Sequence, residues 1–318
     1  MRARQGLTLV EVLTALAALS LLVLLLLAGE RWLLLAVTRS SRWLLARDRG
    51  RRVIAFIEPR LLHAGLGLAG CRDTEALRLA MGKGQDDAPP VAQWESLSRA
   101  IVVYVDRPTL LTPVQGEGGV WRGTGFCVLY ARPSGVFLGT PGGGPVVVGP
   151  GGTAELNILD GDLVNAGFRV GHLQNLRAWG TLPLAGMPFH LASRGEGRLS
   201  LALASTALAS ADVPPVSELL SLRCERFHVR NSTFRFQGME ADWAPADFYP
   251  REEGVLALWV EWRPGRRTFD LWVLTSGGPA VFGPSARPSG WPEEAPWEPG
   301  FERHELCVSR ASWRLENL

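Results

Sequence analysis

LTLVEVLTALAALSLLVLLLLA, residues 7–28, is an apolar run of 22 positions that holds no glycine or proline and whose only charge is Glu11. At about 1.5 Å of rise per residue it makes roughly 33 Å of helix, enough to cross the hydrocarbon core of a bilayer. A cleaved secretory signal is the alternative, but its apolar region spans only about 7 to 15 residues, and Ala28-Gly29 matches an A-x-A cleavage site poorly. The run therefore predicts a retained transmembrane helix over residues 7–28.

Charge is divided unevenly along the 318 residues. Residues 1–52 hold nine arginines against Glu11, Glu30 and Asp48, a net charge of +6, whereas the rest of the chain holds 24 basic and 28 acidic side chains, a net charge of −4. The body therefore lacks the positive balance that sequence-independent binding to nucleic acid requires. We expect no generic nucleic-acid binding from it.

Glu11 is the feature that a simple anchor does not explain. A carboxylate inside a spanning helix costs about 2.5 to 3.5 kcal/mol on insertion scales, so it indicates a function that involves a partner. Residues 6–13, GLTLVEVL, follow a short leader that carries Arg2 and Arg4. A glycine before an apolar run, with a glutamate five positions after it, resembles the processing motif of type IV prepilins. Leu7 stands where that family most often has Phe.

The resemblance implies a processing route and a role for Glu11. Residues 1–6 correspond to the leader, and the prepilin peptidase cleaves between Gly6 and Leu7 on the cytoplasmic side and methylates the new amine of Leu7. Glu11 then neutralises the amine of a neighbouring subunit as the helices bundle in a filament, a buried pair that is costly to leave half made. The implied partners are the prepilin peptidase, the inner membrane, and other pilins or pseudopilins through the helix.

The helical pattern continues past the membrane run, over residues 29–67. Apolar residues recur among Arg and Ser at spacings of three, four and seven, which predicts an amphipathic helix that packs on the body. They are Leu33, Leu34, Val37, Trp43, Leu44, Val53, Ile54, Ile57 and Leu61. Pro59 is expected to kink or restart this helix, because it removes a donor and clashes with the preceding turn. Residues 51–67, RRVIAFIEPRLLHAGLG, resemble the end of the long helix in large minor pilins of the PilW type and in the J-type pseudopilins of type II secretion.

After residue 67 the character of the chain changes from helical to extended. Short runs of β-branched and aromatic residues, separated by Gly and Pro, predict strands. These runs are Ala100–Val105, Phe126–Ala131, Val146–Val148, Leu199–Ala202, Glu225–Val229, Thr233–Gln237, Val255–Trp262, Phe269–Leu274 and Leu306–Trp313. Residues 230–232 and 264–267 predict hairpin turns, so neighbouring strands are antiparallel. The expected fold class is α+β, with the long N-terminal helix packed on a β-rich antiparallel globular domain over residues 68–318.

Three further segments of the body carry expectations. Alternation of apolar and polar residues over Thr268–Leu274 predicts a half-buried strand. Residues 139–152 and 283–300 are rich in Gly and Pro and predict surface loops. The second of them carries Trp291 and Trp297, which are expected to tuck against the body, with a partner surface as the alternative.

Four cysteines, Cys71, Cys127, Cys224 and Cys307, lie beyond the span. In an extracytoplasmic body they can form up to two disulfides, with three connectivities that the sequence does not separate, and buried free thiols are the alternative. None of the four belongs to a C-x-x-C pair, and the five histidines are scattered without ligand spacing. No metal site is therefore predicted.

No pattern typical of enzyme chemistry has the context that it needs. Residues 65–70, GLGLAG, match G-x-G-x-x-G but follow a helix instead of a strand, which predicts a helix-ending loop. Asp160, Asp162 and Asn165 supply oxygens for calcium without the EF-hand spacing, and a tight turn is the favoured interpretation. We therefore predict no catalytic residue, no cofactor and no enzyme activity.

The arginines on either side of the span conflict over topology. Two precede it and five follow it up to Arg49, so the positive-inside rule alone would leave the body in the cytoplasm. Long segments translocate largely regardless of charge, and the prepilin motif places the leader in the cytoplasm, so we give these arguments precedence. The expectation is a single-pass protein of the bacterial inner membrane whose body is extracytoplasmic and which then enters a pilus or pseudopilus.

The expected function is that of a minor pilin or pseudopilin. Such a protein is a structural and assembly-priming subunit, here at or near the tip of a type IV pilus, a type II secretion pseudopilus or a related DNA-uptake filament. The alternative is a membrane-anchored extracytoplasmic binding or catalytic module that uses the helix only as a tether. Glu11 separates the two, because a tether has no use for a carboxylate in the membrane.

Overall fold

The computed structural model describes residues 9–66, 101–106, 111–113, 119–149, 152–162, 173–178, 187–195, 197–203, 211–239 and 249–316. These residues form one long helix, α1 (Leu9–Leu62), and sixteen strands that pair antiparallel, which confirms the predicted α+β fold. The strands are β1 (Ile101–Asp106), β2 (Leu111–Pro113), β3 (Trp121–Gly123), β4 (Gly125–Gly139), β5 (Val146–Val148), β6 (Thr153–Asp160), β7 (Leu173–Ala178), β8 (Met187–Gly195), β9 (Arg198–Leu203), β10 (Ala211–Val213), β11 (Val216–Arg230), β12 (Thr233–Met239), β13 (Tyr249–Glu253), β14 (Val255–Arg263), β15 (Thr268–Pro279) and β16 (His304–Arg314).

Helix α1 has 54 residues, which is about 81 Å at the α-helical rise. Its buried residues recur every three or four positions, and they all lie in its C-terminal third. They are Ala46, Gly50, Val53, Ile57 and Leu61. The predicted packing of Val53, Ile57 and Leu61 on the body is therefore confirmed.

The apolar residues of α1 that lie nearer to the membrane run do not pack on the body. Leu33, Leu34, Val37, Trp43 and Leu44 are between 42 % and 61 % exposed, so the predicted packing of these five is wrong. The physical reason is that α1 extends beyond the body, and its first buried residue is Ala46.

The helix continues through Pro59 and ends at Leu62, so it does not restart at the proline. Pro59 removes only one intrahelical hydrogen bond, the one that an N–H at residue 59 would donate to the carbonyl of Ala55. Gly65, at a φ of 77°, adopts the left-handed conformation that commonly ends a helix, and its N–H donates to the carbonyl of Leu129 at 3.0 Å. The GLGLAG segment therefore begins as the predicted helix-ending loop, and its residues 67–70 lie outside the described part of the chain.

Two strands of 15 residues, β4 and β11, form the spine of the body. They pair along almost their whole length, with Ala131 opposite Leu222 near the middle and a bulge after Leu219. At one end β1 and β12 flank this pair and complete an open sheet in the order β2-β1-β4-β11-β12-β13.

At the other end β6 and β7 flank the same two strands, and the pairs β6–β9, β9–β8 and β8–β7 close a ring. The result is a six-stranded antiparallel barrel in the order β4-β6-β9-β8-β7-β11. The short pair β5–β10 adds Val148 and Val213 to the barrel core. The other buried residues of this core are Val136, Leu138, Ala154, Leu156, Leu191, Leu199, Leu201 and Leu219.

A second sheet, in the order β3-β14-β15-β16, shares a separate core with the open sheet and with α1. Phe126 of the open sheet joins the two sheets. Its ring centroid lies 4.8 Å from that of Phe227 and 4.9 Å from that of Phe269 on β15. Burial of such rings and of the α1 side chains is the main favourable term that fixes the helix in place.

The outer face of this second sheet is also covered. Residues 280–303 cross it and leave Trp291 only 3 % exposed, with Trp297 packed beside it, so the predicted tucking of both tryptophans is confirmed. The predicted half-burial of Thr268–Leu274 is wrong, because this segment buries Trp272 on the face that the alternation assigned to solvent.

Both predicted hairpin turns are present. Asn231 and Ser232 have φ values of 53° and 54° and connect β11 to β12, as in the two-residue turns with two left-handed positions. Pro264–Arg266 form one 3-10 turn between β14 and β15, and Arg267 closes it at a φ of 52°.

Candidate functional site: the membrane-facing helix and its junction with the body

Glu11 lies in the first described turn of α1, in a segment whose side chains are all exposed. Gly6 and Leu7, the two residues of the predicted cleavage site, lie outside the described residues. Within the described part of the chain, α1 is the one helix that is long and apolar enough to cross a membrane.

Three hydroxyl groups on the exposed part of α1 are satisfied within the helix. Thr14, Ser20 and Thr38 each donate to the carbonyl four residues earlier, at 2.9, 2.7 and 2.8 Å. In hydrocarbon every polar group needs such an internal partner, since water is absent. These side chains are therefore compatible with a lipid environment.

The junction begins where small residues let α1 approach the second sheet. A Cβ placed on Gly50 would lie 2.2 Å from the hydroxyl oxygen of Ser309, and a Cβ on Gly277 would lie 1.8 Å from the carbonyl oxygen of Arg42. The buried hydroxyl of Thr275 donates to the carbonyl of Ala46 at 2.7 Å. The backbone of α1 therefore meets the backbone at Gly277 and small hydroxyl side chains elsewhere, which leaves no room for larger side chains at Gly50 and Gly277.

Arginines flank the small residues and bind the body on both sides of them. Arg39 lies 3.5 Å from the carboxylate of Glu305, and Arg42 donates to the carbonyl of Pro279. These two side chains are among the five arginines that follow the apolar run, up to Arg49. Their contacts give them a structural role on the body side of the span.

The next arginines converge on one carboxylate, Glu252. Arg52 donates to both of its oxygens at 2.9 Å, and Arg49 lies 3.7 Å from it while donating to the carbonyl of Ser276 at 2.5 Å. The hydrogen bonds to Glu252 raise the pKa of Arg52. A two-pronged arginine–carboxylate pair fixes orientation as well as distance, so it sets the rotation of α1 against the body.

The C-terminal end of α1 is held by a mixed aromatic and ionic cluster. The guanidinium of Arg60 lies 3.8 Å from the ring centroid of Phe56 and 3.2 Å from the carboxylate of Glu225. Tyr130 donates to that carboxylate at 3.0 Å. The helix end is thereby attached to the open sheet, as its middle is attached to the second sheet.

Buried charges on the outer face of the second sheet form a network of their own. Glu261 and Asp270 lie directly opposite each other on β14 and β15, and both are at most 5 % exposed. Arg263 binds both carboxylates, and Arg122 donates to Glu261 at 3.1 Å. Like charges opposite each other destabilise a sheet unless cations lie between them. The two arginines therefore stabilise the sheet, and this role is enough to explain why they lie there.

The four cysteines are placed unequally by the structure. Cys127 on β4 and Cys307 on β16 are both buried, Cys71 lies outside the described residues, and Cys224 is described only through its backbone in β11. Cys307 holds a free thiol whose pKa is raised by burial. The other three cysteines can then form no more than one disulfide among themselves.

The aspartates considered for calcium lie at the end of β6. Asp160 accepts the N–H of Gly161 at 2.7 Å, and Gly161 has a φ of 94°, as the predicted tight turn requires. Asn165 lies outside the described residues. Within the described ranges no three His, Cys, Asp or Glu side chains gather as metal ligands would.

The junction residues illustrate what sequence reasoning missed. Gly50 is a glycine inside a predicted helix, a signal of close approach, but nothing in the sequence names Ser309 or Thr275 as its neighbours.

Comparison of the chain with protein-family models, with curated proteins and with solved structures finds no match.

Proposed function

We propose that this chain is a minor pilin or pseudopilin, a structural and assembly-priming subunit of a type IV pilus, a type II secretion pseudopilus or a related filament. One observation supports it most strongly. Helix α1 continues without interruption from its exposed apolar half into the core of the body. A module that needs only a tether has no reason to make the membrane helix part of its own core.

The geometry gives the helix two separate tasks. Its body half is fixed by Gly50, by the Glu252 contacts and by core packing, so the exposed half projects in one direction relative to the body. An exposed apolar helix held in this way suits lateral packing beside other membrane helices. Glu11 lies on that half, and we assign to it the pairing with the methylated amine of a neighbouring subunit, as the prepilin resemblance implies.

Processing follows from the same proposal. A prepilin peptidase removes residues 1–6 and methylates the amine of Leu7, with the body on the extracytoplasmic side of the bacterial inner membrane. The size of the body favours a position at or near the filament tip, since roughly 250 residues are bulky for a repeating subunit.

The test is the substitution Glu11→Ala in the host organism, with Glu30→Ala as the matched control. Both remove one carboxylate from α1, but only Glu11 lies within the apolar run. We expect Glu11→Ala to insert into the membrane at least as well as wild type, because a cost of about 2.5 to 3.5 kcal/mol is relieved. Co-purification with partner pilins and filament formation should be lost, whereas Glu30→Ala should retain both.

Two results would contradict the proposal. One is assembly of Glu11→Ala at the wild-type level, which would favour the tethered-module alternative. The other is an intact mass of the membrane-extracted wild type that starts at Met1 or near Gly29 instead of at a methylated Leu7.

A further inference from the structure

A cleft of about 930 Å³ opens between α1 and the segment that follows β15. On α1 it is lined by Trp32, Ala36, Ser40 and Trp43, which recur every three or four residues and so share one face of the helix. The small side chains of Ala36 and Ser40 keep this space open, and Trp32 and Trp43 lie at its two ends. Residues 282–288 form the opposite wall.

A cationic side chain enters the cleft. Arg39 lies 3.5 Å from Glu305 through Nε, and its guanidinium carbon is 5.6 Å from the ring centroid of Phe282. The Arg39 side chain is still 59 % exposed, so donors of its five-donor fork remain available in the cleft. The charged residues that line the cleft are Arg39, Arg287 and Glu305, a net charge of +1, which complements an anion.

The cleft lies at the depth where lipid headgroups end. Glu30 and Arg31 are the first charged residues after Glu11, so the hydrocarbon core ends near them. Trp32 is the next residue, in the position of the tryptophan belts at membrane interfaces. Arg39 is eight residues beyond Arg31, about 12 Å along the axis, and helical side chains point back toward the N-terminus, which here is the membrane. Its guanidinium therefore reaches toward the interfacial layer.

We propose that this cleft holds the headgroup of an anionic phospholipid from the leaflet that surrounds the outer end of the span. The phosphate binds the open donors of Arg39, the glycerol lies over Ala36 and Ser40, and the acyl chains pass Trp32 into the bilayer. The chemistry is that of a phosphodiester with an apolar tail, held between a cation and aromatic walls. This site is independent of filament assembly, because it needs only the span and the body.

The experiment uses the full-length chain, purified in a mild detergent, stripped of lipid and incubated with equal amounts of phosphatidylglycerol and phosphatidylcholine of the same acyl chains. Native mass spectrometry counts the lipids bound. We expect one phosphatidylglycerol per wild-type chain in preference to phosphatidylcholine. Ala36→Phe fills the cleft and Arg39→Leu removes the cation, and each should lower phosphatidylglycerol retention about tenfold, as loss of a charge-assisted contact does.

Matched controls separate this cleft from general lipid binding. Val37→Phe adds the same ring one residue away on an exposed face, and Arg51→Leu removes an exposed arginine that does not line the cleft. Both should retain phosphatidylglycerol as wild type does, and water-soluble glycerol phosphate should not displace it. If Arg39→Leu disturbs the fold of the body, Ala36→Phe serves as the second test, and its thermal melting shows whether its own body stays folded.

Three outcomes overturn the proposal. The first is equal retention of the two lipids by wild type, and the second is equal loss in the cleft variants and the controls. The third is displacement by glycerol phosphate, which would make the cleft a site for a soluble anion instead of a lipid.

Discussion

His228 on β11 is a buried ionisable residue among cations. It is 3 % exposed, and Arg226 and Arg230 stand on the same strand while Arg235 lies opposite on β12. Burial first, and then the charges of these three arginines, lower the pKa of His228 to about 3 from an ordinary value of 6.5. The imidazole is therefore neutral in the folded body at neutral pH.

This shift predicts how stability depends on pH. Between about pH 6.5 and pH 3 the unfolded chain binds a proton at residue 228 that the folded chain does not, so the free energy of unfolding falls as the pH falls. The contribution is about 1.4 kcal/mol per pH unit across that window. Chemical unfolding of wild type and of His228→Gln at several pH values measures it. The free energy of unfolding of wild type minus that of His228→Gln should fall on acidification. A difference that stays constant with pH would contradict the prediction.

At the scale of elements, the contact between α1 and β15 tolerates no added atom. The carbonyl of Arg42 is backbone, so the 1.8 Å approach to a Cβ at residue 277 cannot be relieved by turning a side chain. Gly277→Ala should therefore destabilise the protein by about 3 kcal/mol, at the upper end of what overpacking costs. Thermal unfolding of the full chain gives the value. Gly265→Ala is the control, because a Cβ there meets nothing within 4 Å, and equal melting of the two variants would refute the close contact.

Elements were predictable where the signal was local. Eight of the nine predicted strand runs lie wholly in strands, and the run Ala100–Val105 does so from Ile101 onward, since Ala100 lies outside the described residues. The reason is that β-branched and aromatic residues between turn residues suit a buried sheet. Strand β4 was predicted only as far as Ala131, since Arg132-Pro133-Ser134-Gly135 has the composition of a turn, yet the ladder continues through it to Gly139. Pairing with β11 overrides that local preference.

The candidate site, too, is predictable from sequence only where its signal is local. Gly6, Leu7 and Glu11 follow from a contiguous motif, so the sequence alone names them. The junction depends on residues far apart in the sequence, such as Arg52 and Glu252, which are 200 positions apart, and no local pattern encodes that contact. The long-range pairings that close the barrel are hidden from sequence for the same reason.

At the scale of the whole molecule, the core around α1 and the barrel core share no residue. The core around α1 draws on residues before Ala131 and after Leu222, and the barrel core draws only on residues 136–219. Because Ala131 and Leu222 lie directly opposite each other, the chain enters and leaves the barrel at neighbouring points. The two cores therefore need not fold together.

Replacing residues 131–222 by Asn-Gly should leave α1 and the two sheets folded. The N–H of Ala131 donates to Leu66, away from β11, so the neighbouring pair, Tyr130 and Arg223, is the one that hydrogen-bonds across the two strands. Asn-Gly favours the tight turn that joins such a pair, so β4 and β11 would become a simple hairpin. The measurement is a single cooperative thermal transition with retained near-ultraviolet circular dichroism. Replacing residues 131–223 is the control, because a slip of one residue turns every side chain of the strand to the wrong face. The prediction fails if both deletions melt without cooperativity.

The shared strands also bear on how such a chain could arise. The ninety codons between Ala131 and Leu222, which face each other on β4 and β11, encode the whole barrel core. A single recombination event could therefore have added the barrel, or could remove it, without altering α1 or its junction with the body. Ancestral forms would then differ in length by a whole barrel while keeping the same anchor. We therefore expect related chains to differ more in the barrel than in α1 and its junction with the body.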